Sequence, residues 1–98
     1  MKKPTKSRIS GRKYRILFKN RSDLVDRFTG RAVHDNCVIT VAKDKPLRSQ
    51  KETLFHELLH VAGNNGGCDM GENAVVSLSN GFFAILRDNP EMTHWMLE

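Results

Sequence analysis

Several features that mark whole classes of protein are scarce or missing in this chain of 98 residues. No apolar run approaches the roughly 18 residues of a membrane-spanning helix, which argues against an integral membrane protein. There are only two cysteines, Cys37 and Cys68, too few for a disulfide scaffold, and both read as reduced thiols. Tyrosine and tryptophan occur once each, so a stacking platform for single-stranded nucleic acid is not expected. Repeats and low-complexity tracts are absent, and a hydrophobic content of 39% suits an ordinary globular domain better than a disordered chain. The basic start MKKPTKSR is followed by no long apolar segment; it does not read as a secretory signal, and the expected location is the cytoplasm.

Acidic residues are also missing from one region. Lys2, Lys3, Lys6, Arg8, Arg12, Lys13, Arg15, Lys19 and Arg21 all precede the first of them, Asp23, in a chain of net charge +5. Two readings fit. One is an arm that touches nucleic acid or another polyanion. The other is a solvated tail followed by a strand with charged outer positions.

What is present divides into short strands followed by helices. Residues 1–8 offer nothing to pack and read as a disordered basic tail, leaving 9–98 as one domain. Tyr14, Ile16 and Phe18 alternate with Arg15, Leu17 and Lys19, the period of a half-buried strand. Leu24, Val25 and Phe28 fit either a helical turn or an extended bridge. Arg31–His34 and Cys37–Ala42 flank Asp35-Asn36 and read as a hairpin. Ser49 and Glu52 have capping-box spacing, and Leu54, Leu58 and Val61 share one face of an expected helix over about 50–62, stopped by Gly63. Asp69 and Glu72 repeat the box ahead of a second helix over about 70–87. Asn89-Pro90 opens a third, short one. The expected class is α+β: a small, mainly antiparallel three-stranded sheet packed on two main helices, with a short C-terminal helix.

His56-Glu57-Leu58-Leu59-His60 is an HExxH motif on the best-defined helix. Residues four apart on a helix lie on one face, so both imidazoles can reach one Zn²⁺. Glu57 lies one position off that line and is placed to take a proton from a metal-activated water. A third protein ligand is needed. Glu72, Asp69, Cys68 and His94 are the candidates, although Glu72 also suits a plain capping role and Asp69 an N-cap. HExxH followed by Gly63 opens the metzincin pattern, but Gly66 stands where its third histidine belongs.

The run Glu52–His60, then Glu72, then Val75 through Leu86-Arg87-Asp88-Asn89-Pro90-Glu91, resembles small metallopeptidases of bacteriophages and prophages. These look like minimal gluzincins, distantly similar to ImmA/IrrE-type peptidases, and the resemblance extends from about Tyr14 to Leu97. It implies zinc held by His56, His60 and Glu72, with Glu57 as catalytic base. It also implies a small sheet packed on the motif helix, a peptide or protein substrate, and a host cytoplasm. The leading expectation is therefore a zinc metallopeptidase of minimal zincin-like form. The alternative is a non-catalytic, zinc-stabilised regulator that binds nucleic acid through the basic N-terminal segment. A combination of the two, a protease addressed to a nucleic-acid-bound target, is the third. Tyr14 and His94 are the candidate oxyanion donors, and the strands Tyr14–Lys19 and Cys37–Ala42 the candidate edges for a bound peptide.

Overall fold

A computed structural model describes residues 2–9, 11–24, 29–68 and 70–98. The class is α+β, with four strands rather than three: β1 (Lys6–Ile9), β2 (Arg12–Lys19), β3 (Gly30–Val33) and β4 (Val38–Ala42). Three helices follow: α1 (Leu47–Asn65), α2 (Glu72–Asp88) and α3 (Pro90–Leu97). The strand order is β1-β2-β4-β3. β1 pairs antiparallel with β2 and β3 antiparallel with β4, but β2 and β4 run parallel, so the sheet is mixed. The parallel pair arises because the chain re-enters the sheet at the far edge, as β3, and returns beside β2 as β4.

The extra strand comes from the segment expected to be a disordered tail. Ser7 and Ile9 turn toward α1 and Lys6 and Arg8 away from it, a period of two that one apolar residue is too few to advertise. Gly11, at φ +84°, makes the turn into β2. Farther back, Thr5 accepts a backbone hydrogen bond from Ile16, and the Lys3 ammonium donates to Gln50 Oε1 at 2.7 Å and lies 4.7 Å from the centre of the Phe18 ring. The residues left open between turn and bridge divide: Leu24 closes a single 3-10 turn, and Val25–Phe28 lie outside the described residues.

Two helix boundaries move. α1 starts at Leu47, with Pro46 rather than Ser49 at its N-cap. Gln50 accounts for this. Its buried amide donates to the Lys43 and Lys45 carbonyls, tying the connector to the first turn, and Glu52 pairs with Arg48 instead of folding back on Ser49. At the other end α1 runs through Gly63 and stops at Gly66. The hairpin turn has its positive φ at Cys37, not at Asp35 or Asn36.

One face of the sheet is covered. Tyr14, Ile39 and Val41 project from it against Val61 of α1, all four fully buried, with Leu54 and Leu58 packed around them. α2 lies along α1, where Phe83 meets Phe55 at a ring separation of 5.7 Å. No helix among the described residues is long and apolar enough to cross a membrane.

Candidate metal centre

α1 positions the HExxH residues, and its loop to α2 completes the group. His56 and His60 present Nε2 atoms 3.2 Å apart on one face of the helix. Glu72, the first residue of α2, reaches both: Oε1 lies 2.7 Å from His56 Nε2 and Oε2 lies 2.9 Å from His60 Nε2. The return depends on Gly63. A Cβ there would meet the Cys68 carbonyl oxygen and Met70 Cε, each at 2.9 Å. The missing side chain leaves room for the Cys68 backbone and the Met70 side chain against α1, with the Cys68 amide donating to the Gly63 carbonyl at 2.8 Å. Gly63 is thus a contact point for the loop and not a helix stop.

Among the described residues, His56, His60 and Glu72 are the one group of three or more His, Cys, Asp or Glu side chains that could hold a metal ion. The donor set suits zinc, since three ligands about 2.0–2.1 Å from a tetrahedral centre stand about 3.3 Å apart. Without a cation the group is held by hydrogen bonds in which one ring donates its Nε2–H and the other nitrogen or the carboxylate accepts. With a cation all three atoms can turn lone pairs to one point.

Of the other candidates for third ligand, Asp69 lies outside the described residues. The exposed Cys68 stands outside the group, and neither cysteine is in a disulfide. His94 is exposed on α3, 3.3 Å from Glu98. Glu72 caps nothing with its side chain; the N-cap of α2 is Gly71, without a side-chain bond.

Among the described residues Glu57 is one of three buried polar or charged ones, and it adjoins the group. Burial pushes its carboxyl above the usual 4.5; His56 and His60 pull it down in part, and Glu72 adds a small further rise. Its position depends on Gly30. A Cβ there would collide with Thr53 Cγ2 and lie 3.3 Å from Glu57 Oε2, so only glycine lets β3 run this close to α1.

A cavity of about 430 Å³ opens in front of these groups, lined by Glu57, His60, Glu72, β3 residues 30–32 and His34. A smaller one of about 190 Å³ lies on the His56 side and shares Thr29 and Glu57 with the first. Together they form a groove on both sides of Glu57. The edge beside it is β3. Neither strand expected to be an edge is one, since β2 and β4 are interior.

Tyr14, a candidate oxyanion donor, is fully buried and cannot reach the groove. Its hydroxyl lies 3.3 Å from His34 Nδ1, and His34 lines the larger cavity in its place. In the sequence His34 stands only as a hairpin residue. Its only sequence signal was its place beside a turn.

Compared with known proteins, the chain matches no family model, no curated protein and no solved structure.

Proposed function

We propose that the chain is a zinc-dependent peptidase whose ligands are His56, His60 and Glu72. The observation that carries this reading is the meeting of Glu72 with both histidines, across a glycine-permitted loop, beside a buried glutamate in an open groove. Zinc, when bound, supplies polarisation of the scissile carbonyl and acidification of water.

The chain's own residues supply the rest. Glu57, whose partial burial raises its affinity for a proton, takes one from water at a carboxylate oxygen and passes it to the leaving amine. The free edge of β3 offers main-chain groups to an extended peptide lying in the groove. His34 faces the same groove. The buried Tyr14 hydroxyl has no acceptor other than His34 Nδ1 among the described residues, and an unsatisfied buried O–H is costly. Tyr14 therefore donates to Nδ1, which leaves Nε2–H as a donor for a carbonyl oxygen that gains charge. The His34 carbonyl is held by the Arg12 guanidinium at 3.2 Å and by the Cys37 amide at 3.3 Å.

The test pairs elemental analysis with peptide hydrolysis. The wild type should carry about one zinc per chain, and His56→Ala should lose it. Glu57→Gln should keep the zinc and lose about 10²-fold or more in turnover. A folded wild type without metal, or an active Glu57→Gln variant, would reject the reading.

A further inference from the structure

The face of the sheet turned away from α1 has a composition that solvation does not require. The strand registers place Lys6, Arg8, Lys13, Arg15, Lys19 and Arg31 on this one face, because their partners across the sheet alternate with the buried Tyr14, Ile16, Ile39 and Val41. All six are exposed. The remaining outward positions of the four strands, Leu17, Val33, Val38, Thr40 and Ala42, are uncharged, so the strands place no acid on this face. The arginine ion pairs among the described residues lie elsewhere, at Arg21–Asp44, Arg48–Glu52 and Arg87–Asp88.

The pairing sharpens the point. Lys6 stands directly across from Arg15, and Arg8 directly across from Lys13. Like charges directly opposite on neighbouring strands are destabilising, and a merely soluble face would intersperse acids among them. Two adjacent cation pairs form a lattice about 4.8 Å across the strands and about 6.8 Å along them. A row of phosphates complements such a lattice. Aromatic side chains are missing from it, since Tyr14 and Phe18 point to the covered side, so it has nothing on which bases could stack.

We propose that this open basic face binds the phosphate backbone of double-helical nucleic acid. It is the opposite side of the sheet from the His56–His60–Glu72 group, and the proposal does not rest on the reading of that group. Only Lys6 and Arg8 lie in the segment expected to be a disordered tail; all six sit on strands, with β1 supplying two and β2 three of them.

The test is fluorescence anisotropy with a mixed-sequence DNA duplex of about 20 base pairs, using the full chain. About five neutralised phosphates predict an affinity that falls roughly 10²–10³-fold between about 50 and 200 mM salt. The double variant Lys13→Gln/Arg15→Gln should reduce the slope of log affinity against log salt by about 2. It should fold at least as stably as the wild type, because each substitution breaks a like-charge pair. The control Arg48→Gln/Arg87→Gln changes net charge equally, from helical positions, and should leave the slope intact. The proposal is overturned by no binding at about 50 mM salt. It is equally overturned by an equal effect of both double variants, or by binding to anionic lipid vesicles without binding to the duplex.

Discussion

The two faces of the sheet come from the same strands and use their alternate residues in opposite ways. On the covered side, β2 and β4 contribute Tyr14, Ile16, Ile39 and Val41, all buried, and β3 contributes Gly30 and Ala32. On the open side the same strands carry cations and uncharged residues with no acid between them. The covered face is built around small spaces: a missing side chain at Gly30 admits Glu57, and another at Gly63 admits the loop that brings Glu72 back. The open face is built around charge and needs no close fit. One period-two pattern therefore serves two kinds of chemistry. Substitutions on the covered face should act through geometry, and those on the open face through electrostatics.

The largest effect among the residues that distinguish the covered face is expected at His34. Replacing it with alanine removes the Nε2–H donor and leaves the Tyr14 hydroxyl without its acceptor. Loss of one oxyanion donor costs about 10²–10³ in turnover. His34→Ala should therefore lower kcat by about that factor, with KM changed less and bound zinc retained. A variant with normal kcat would return His34 to the role of a partner for Tyr14. Because zinc content is read separately, that result stays distinct from a failure of the metal assignment itself.

Gly30→Ala should act next, and on structure. The added methyl meets Thr53 Cγ2, the end of a β-branched side chain one turn before Glu57, so α1 must move away from β3. Overpacking of this kind costs about 1–3 kcal/mol. For a chain of this size each kcal/mol lowers Tm by roughly 4–8 °C. Turnover should fall as well, since Glu57 shifts relative to His34 and the groove. Thr53→Ala in the same chain should restore much of the lost stability. Failure of that rescue would mean that the close approach is not what fixes the spacing.

Legibility in the sequence followed the same division. His56, Glu57 and His60 could be read because helical spacing brings the two histidines to one face with Glu57 one position off it, and the helix is marked by its apolar stripe. Glu72 reads as the favoured of four ligand candidates, through the glycine-rich loop before it and the family resemblance. Its meeting with the histidines depends on a close contact at Gly63, which a sequence shows as a glycine and nothing more. Gly30 and His34 were not legible for the same reason: each matters through a neighbour distant in the chain, Thr53 in one case and Tyr14 in the other. β1 was missed because Lys6, Ser7 and Arg8 carry no apolar alternation, and its pairing with β2 supplies what propensity does not. The parallel β2–β4 pair was hidden by a hairpin that is correct locally but inserts from the far edge. The positive φ at Cys37, one residue beyond the Asp-Asn pair, shows how local turn chemistry yields to the register of the strands.

The smallest expected effect is the one that best separates function from fold. Burial raises the Glu57 carboxyl above 4.5, so in the metal-free protein the folded state holds this proton more tightly than the unfolded chain does. Stability associated with the protonated group is complete below the unfolded value and is lost as pH rises through the folded one. At neutral pH the metal-free protein therefore bears the cost of a buried charge, and Glu57→Gln removes it while keeping the shape of the side chain. In chelator, Glu57→Gln should melt at a higher temperature than the wild type at pH near 7, and the difference should vanish at a pH well below 4.5. Zinc should narrow it at neutral pH, because a cation beside the carboxylate favours the charged form. The variant that abolishes turnover would then be the more stable protein without metal. That is the pattern expected of a residue kept for chemistry, whereas a Tm difference independent of pH would assign Glu57 to packing alone.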